Sequence, residues 1–432
     1  MATAVVTCVL RNEAEVLLFR RGETVGPGQG LWGGVTGRVK DSPDRAARRQ
    51  VRGETGLDTT DLALVRAGDP FEVSDEDGEW LVHPYLFDCR TRAVEPDRGA
   101  GTHEWVPPTA ILRRETVTGL WASYDRVRPS VATVAGDTEH GSAVLSVRAL
   151  ETLRDEAALC AESGDREHSN GRPGAGWPRL AGLAHELAAA RAAMPVIATR
   201  VDRAVHGANS RTPAALEAAA AADIERALRA DERAAASAAE RVGDRVATLS
   251  RSGTVRATIG CATPEAVLVA ESRPGREGVG VAEAAAEALD AAVTLTTDAA
   301  FPHQLAEWGA DTLLVGADAV LPDGRVVNKA GTRGAALSAA HAGVDVVVAA
   351  SVDKVSRRVA VELEPRDPGE VREGGDGRPE LDIRNPTFDV TPAGVVTVVG
   401  EDGAFDPAAV AATHRRRAAW RRGDSAGEAD GR

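Results

Sequence analysis

The sequence predicts an α/β multidomain fold: an α+β region, then a helical region, then a region built on a parallel sheet. Three observations carry this. At 432 residues the chain exceeds what one hydrophobic core usually supports. Residues 1–135 hold short β-type runs (4–10, 15–19, 80–87) around one helical segment, an α+β pattern. Residues 138–245 turn alanine-rich with apolar residues at helical spacing, and 246–421 alternate apolar strands with helices. Residues 422–432 read as a tail.

In the second region the helical spacing covers residues 142–158, 177–193 and 213–242, and the Gly, Ser, Asp and Pro of 162–178 read as a solvated loop. In the third, apolar runs at 267–270 and 312–315 each stop at a polar segment, which places those segments along one rim of a parallel sheet, where open α/β folds bind ligands. The end of the chain, basic from Thr413, is expected to fray.

Composition narrows the function classes. There are 51 basic against 65 acidic residues, a net charge of −14, and only three lysines (Lys40, Lys329, Lys354), so long-range attraction to nucleic acid is not expected. An acidic, lysine-poor, alanine-rich chain suggests salt adaptation, though a GC-rich genome gives the same arginine bias. Cys8, Cys89, Cys160 and Cys261 form no CxxC pair, which argues against a zinc ribbon or disulfide framework and for small buried thiols. With no signal-like start and no 18-residue apolar span, a cytoplasmic location away from membranes is expected.

The first region carries Gly37-Arg38-Val39-Lys40-Asp41-Ser42-Pro43 running into Arg49-Gln50-Val51-Arg52-Gly53-Glu54-Thr55-Gly56-Leu57. This resembles the Nudix box of hydrolases of nucleoside diphosphate derivatives, and Trp32 and His103-Glu104-Trp105-Val106-Pro107-Pro108 suit the same family. The resemblance implies Mg2+ held by glutamate oxygens on one helix face while it polarises a diphosphate and activates water. Here the three glutamate positions read Gln50, Gly53 and Glu54, and the turn from Gly37 to Asp41 is two residues short. Two anionic ligands are therefore gone. Glu54 with Glu104 is a residual metal pair, or else a solvated helix acid and a loop acid. Asp41 pairing with Arg49 would preserve the loop-helix-loop scaffold.

The third region carries Thr248-Leu249-Ser250-Arg251-Ser252-Gly253, Glu271-Ser272-Arg273-Pro274-Gly275, Gly316-Ala317-Asp318-Ala319, Asn328-Lys329-Ala330-Gly331-Thr332 and Asn385-Pro386-Thr387-Phe388-Asp389-Val390-Thr391-Pro392. The order resembles the initiation factor 2B-related family, which includes regulatory translation factor subunits, methylthioribose-1-phosphate isomerase and ribose-1,5-bisphosphate isomerase. That family places a helical domain before a Rossmann-like one, and Arg191-Ala192-Ala193-Met194 resembles one of its helix motifs, although a methionine such as Met194 is more often plain core packing. Phosphate recognition needs fixed cations and backbone donors, which Arg251, Ser252 and Gly253, and Arg273 and Arg276 beside glycines, can supply. The resemblance implies acid-base work for Asp318, held with substrate by Asn328 and Lys329. It also implies a catalytic position at Ser250, where the isomerases carry cysteine; serine is the weaker acid and nucleophile, and no local histidine activates it. Cys261 is too far along to replace that thiol, and Asp389 is expected to brace the last crossover.

Two function classes follow. One is a binding or regulatory protein for phosphorylated ribose or a nucleotide, with a degenerate Nudix-like domain. The other is an enzyme, an aldose-ketose isomerase through Asp318 or a weak Nudix hydrolase through Glu54. The second resemblance also implies a homo-oligomer.

Overall fold

The computed structural model describes residues 2–22, 29–76, 78–95, 100–164, 176–360, 363, 365–372 and 381–423. Residues 424–432 of the tail expected at 422–432 and 165–175 of the loop expected at 162–178 lie outside these, and the ends of that loop belong to helices Ser142–Gly164 and Trp177–Ala189. The described chain is a mixed α/β structure with two compact units, one formed by Met1–Ser130, Glu151–Trp177 and Thr212–Glu217, the other by Val131–Leu150, Pro178–Arg211 and Ala218–Arg432.

In the first unit, strand Thr3–Asn12 runs at the middle of an eight-stranded sheet, parallel to Gly78–Cys89 and antiparallel to Glu15–Arg21 and Val35–Arg38. Helix Pro43–Thr55 starts where Ser42 accepts from the Arg45 amide and ends at Gly56, whose φ of 71° suits glycine. Its spacing buries Ala46, Ala47 and Val51 with Val6, Cys8 and Val35 of the sheet, so it lies over the strands that flank its own entry loop.

The second unit is built on a seven-stranded sheet in the order Ala292–Thr296, Ala266–Ala270, Arg245–Thr248, Thr312–Val315, Asp345–Ala349, Thr397–Gly400, Gly403–Ala404. The first six are parallel and the last is antiparallel. Ala266–Ala270 and Thr312–Val315 are buried along their whole length, as strands covered on both faces are. The chain starts this sheet in Arg245–Thr248, builds outward on one side, then crosses to Thr312–Val315 on the other. The crevice between these two strands is therefore the topological switch point, and its mouth is at their C-terminal ends. A smaller antiparallel sheet of Ala319–Val320, Val326–Lys329 and Phe388–Thr391 stands beside it.

Several expectations change. The helix expected over 177–193 stops at Ala189, and a separate helix, Pro195–Gly207, follows with proline in its first turn. The Arg191–Met194 motif is thus the turn between two helices rather than part of one. The expected fraying from Thr413 does not occur through 423, because helix Pro407–Arg417 buries His414 to 2 % exposure with its Nδ1 2.9 Å from Val355 O. All four cysteines are free, and Cys8 and Cys89 are buried, but Cys261 is exposed on helix Gly253–Ala262.

Candidate functional site at the sheet switch point

Four polar segments meet at the switch point. After strand Arg245–Thr248, Ser250 takes a left-handed φ of 63° and its amide donates to Ser272 Oγ at 2.7 Å. Ser252 then caps helix Gly253–Ala262 by accepting from the Val255 amide at 3.3 Å, while the Arg251 guanidinium donates to Glu139 O.

After strand Ala266–Ala270 the turn is equally specified. The Asp298 carboxylate accepts from the amides of Ser272 and Arg273 at 2.8 and 2.5 Å, and Ser272 and Arg276 sit at φ of 64° and 56°. The Arg273 and Arg276 guanidiniums lie 3.4 and 4.0 Å from the Glu271 carboxylate, both exposed. Helix Glu277–Ala288 packs so closely on the strand end that a Cβ on Gly278 would stand 1.8 Å from Ala270 O.

Strand Thr312–Val315 delivers Gly316 and Asp318. A Cβ on Gly316 would meet Ser252 Oγ at 2.7 Å, and the Asp318 amide donates to Val327 O at 2.9 Å. Strand Val326–Lys329 ends in two buried polar residues. Asn328 Nδ2 donates to Thr332 Oγ1 at 3.0 Å, Thr332 Oγ1 donates to Lys329 O at 2.7 Å, and Lys329 Nζ lies 2.7 Å from Glu277 Oε1.

The fold thus brings the Ser250, Arg273, Asp318 and Lys329 segments into one rim, linked in turn by Ser250 to Ser272, Gly316 to Ser252, Asp318 to Val327 and Lys329 to Glu277. The cations are divided among partners: Arg273 and Arg276 lie against Glu271, Lys329 pairs with Glu277, and Arg251 is turned to a carbonyl. Asp389 accepts from the amides of Gly331 and Arg333 and so braces the start of helix Thr332–His341. Burial raises its pKa and those amides work the other way.

Sequence reasoning missed four contributors. Glu277 neutralises Lys329, and its Oε2 is buried without a hydrogen-bond partner. Arg366 stands 3.9 Å from Glu277 and hydrogen-bonds Glu370, holding that carboxylate down at about 2. Lys354, 4 % exposed, ends the short turn Val352–Lys354 that follows strand Asp345–Ala349; the scarcity of lysine was the available signal. Next to it Asp353, 1 % exposed, takes Arg200 at 3.0 Å and Arg203 from helix Pro195–Gly207. Burial acts to raise the Asp353 pKa, and the two guanidiniums outweigh it and leave the group well below the carboxylate range.

In the first unit, Asp41 and Arg49 pair at 3.3 Å, as expected. Glu54 accepts from Gln50 at 3.2 Å, whereas Glu104 is held by Arg114 at 2.6 Å with that guanidinium 4.4 Å above the Trp32 ring. The proposed Glu54 and Glu104 metal pair is therefore engaged in separate neutral and cationic contacts. Among the described residues no three His, Cys, Asp or Glu side chains are grouped to hold a metal, and of the three box positions only Glu54 offers a carboxylate, itself taken by Gln50.

Comparison with known proteins divides the chain into two consecutive parts, whereas the first compact unit also takes in Glu151–Trp177 and Thr212–Glu217. The profile of the initiation factor 2 subunit family matches residues 138–407, and that of the NUDIX domain matches residues 1–127. A ribose 1,5-bisphosphate isomerase of Haloterrigena turkmenica is 32 % identical over 313 residues, 66 % of this chain and 92 % of its own. One of Haloferax volcanii is 38 % identical over 152 residues, 33 % of this chain and 46 % of its own. A methylthioribose-1-phosphate isomerase of Heliobacterium modesticaldum is 34 % identical over 163 residues, 36 % of this chain and 47 % of its own. Among solved structures, translation initiation factor eIF-2B of Pyrococcus horikoshii OT3 aligns at a TM-score of 0.53 with 24 % identity, over 64 % of this chain and 95 % of the other. The 5-methylthioribose 1-phosphate isomerase of that organism aligns at 0.51 with 18 % identity, over 66 % and 86 %. At these identities the structural likeness is one of fold.

Proposed function

Because the chain belongs to the initiation factor 2 subunit family and carries a NUDIX domain ahead of that region, we propose that it binds a phosphorylated ribose or nucleotide at the switch-point rim. In this reading residues 1–135 are a Nudix-like domain, 138–245 a helical domain and 246–421 a Rossmann-like domain. The observation that carries it is the pairing of Lys329, 7 % exposed, with Glu277 at the mouth of the crevice. A lysine kept so far from water at a sheet's ligand rim, in a chain with three lysines, suits a phosphate site better than a surface loop. Asn328 and Lys329 hold the ligand, Arg251, Ser252 and Gly253 and then Arg273 and Arg276 offer phosphate donors, and Asp318 faces the sugar carbons. The relatives named for ribose and methylthioribose phosphate isomerases support this ligand class.

The second reading is turnover: aldose-ketose isomerisation with Asp318 moving the proton between adjacent sugar carbons and Ser250 at the other catalytic position. It is favoured by the retained Asp318, Asn328 and Lys329 and weakened by the serine. Calorimetric titration with ribose 1,5-bisphosphate tests binding, and assay for ribulose 1,5-bisphosphate tests turnover. Binding by the wild type that Lys329→Ala lowers supports the first reading; absence of binding by the wild type rejects it. Product formation abolished in Asp318→Asn and raised in Ser250→Cys would establish the second.

A further inference from the structure

The Nudix-like box departs from its family in a way the substitutions alone do not disclose. Its helix, Pro43–Thr55, presents Gln50 where a carboxylate is expected, and the carboxamide is folded inward. Gln50 Nε2 donates to Thr36 O at 2.9 Å and to Glu54 Oε1 at 3.2 Å. The first acceptor is a carbonyl of the strand entering the box, and the second is the one remaining box glutamate. One nitrogen therefore bridges a backbone oxygen and a carboxylate oxygen, the two kinds of donor a hard divalent cation would take. The space is filled as well: a Cβ on Gly37, the next residue after Thr36, would stand 2.2 Å from this amide group.

We propose that the Gln50 carboxamide is a built-in substitute for the cation, so that the box is closed and held together without metal. Three features make the exchange work. The amide NH2, with two hydrogens to donate, serves both oxygens without bringing a charge that the depleted acid set could not balance. At the second glutamate position Gly53 adds no oxygen and has nothing within 4 Å of its would-be Cβ. Asp41 and Arg49 brace the loop against the helix from outside, so the scaffold does not depend on an ion. The consequence is a domain that keeps the Nudix backbone but is insensitive to chelators and does not draw Mg2+ or Mn2+ into the box.

Manganese titration of the full chain, followed by the electron paramagnetic resonance signal of free Mn2+, tests this independently of any sugar-phosphate binding. The wild type and Glu54→Gln are expected to bind the same number of ions, since an acidic surface takes up Mn2+ equally in both. Gln50→Glu is expected to bind one more, and EDTA is expected to leave the wild-type melting temperature unchanged. A wild-type site that disappears in Glu54→Gln would overturn the proposal, and that comparison does not depend on the Gln50 variant folding. A folded Gln50→Glu protein that gains no ion would overturn it too.

Discussion

At the scale of single residues, burial decides which charges matter. Lys329 and Glu277 form a pair withdrawn from solvent, whereas Arg273 and Arg276 are mostly exposed on the same rim. An exposed guanidinium contributes little by itself, but a held ammonium facing an anionic ligand makes a charge-assisted bond of about 1.5–3 kcal/mol. Lys329→Ala is therefore expected to weaken phosphate-ligand affinity about tenfold to a hundredfold, and Arg276→Ala less, by calorimetry. Asp353 follows the logic of a buried ion network: Asp353→Asn removes one carboxylate from Arg200 and Arg203, which keep Asp231 at 3.4 Å and Asp223 at 2.8 Å, and is expected to cost less than the roughly 3–5 kcal/mol of a fully unpaired buried charge, visible as a lowered denaturation midpoint. His414 makes a pH prediction. Burial holds its imidazole below the ordinary 6.5, so as pH falls below that value the unfolded chain takes up a proton that the folded chain refuses. Stability should decline below pH 6.5, and urea midpoints at pH 7.5 and 5.5 should differ less in His414→Asn than in the wild type.

At the scale of elements, close approach and capping set the rim. Gly278→Ala brings a methyl against Ala270 O and is expected to destabilise the unit by at least about 1–3 kcal/mol, because helix Glu277–Ala288 must back away from the strand. Since that helix carries Glu277, the same substitution should also weaken ligand binding. Asp389→Ala removes the acceptor for two amides at the start of helix Thr332–His341 and is expected to cost about 1 kcal/mol in a denaturant melt. The parallel strands were readable because burial on both faces makes them continuous apolar runs, and the Asp41 to Arg49 brace was readable from its motif. Helix Pro195–Gly207 was hidden for a physical reason: its burial of Arg200, Asp202 and Arg203 breaks the apolar periodicity by which a helix is recognised.

At the scale of the whole molecule, a family region follows a NUDIX domain in which one of the three box glutamates, Glu54, remains, and the described residues include no helix long and apolar enough to cross a membrane. What the sequence determined by itself was the α/β class and the list of polar segments, since strand alternation and short motifs are local properties written in residue type and spacing. The identity of most rim residues followed for the same reason. What only the tertiary structure decided was which charges neutralise which: Lys329 with Glu277, Asp353 with Arg200 and Arg203, and Gln50 between Thr36 and Glu54. Those partners are separated in sequence or folded back on their own element. Their contact depends on close packing and desolvation, which no one-dimensional pattern records.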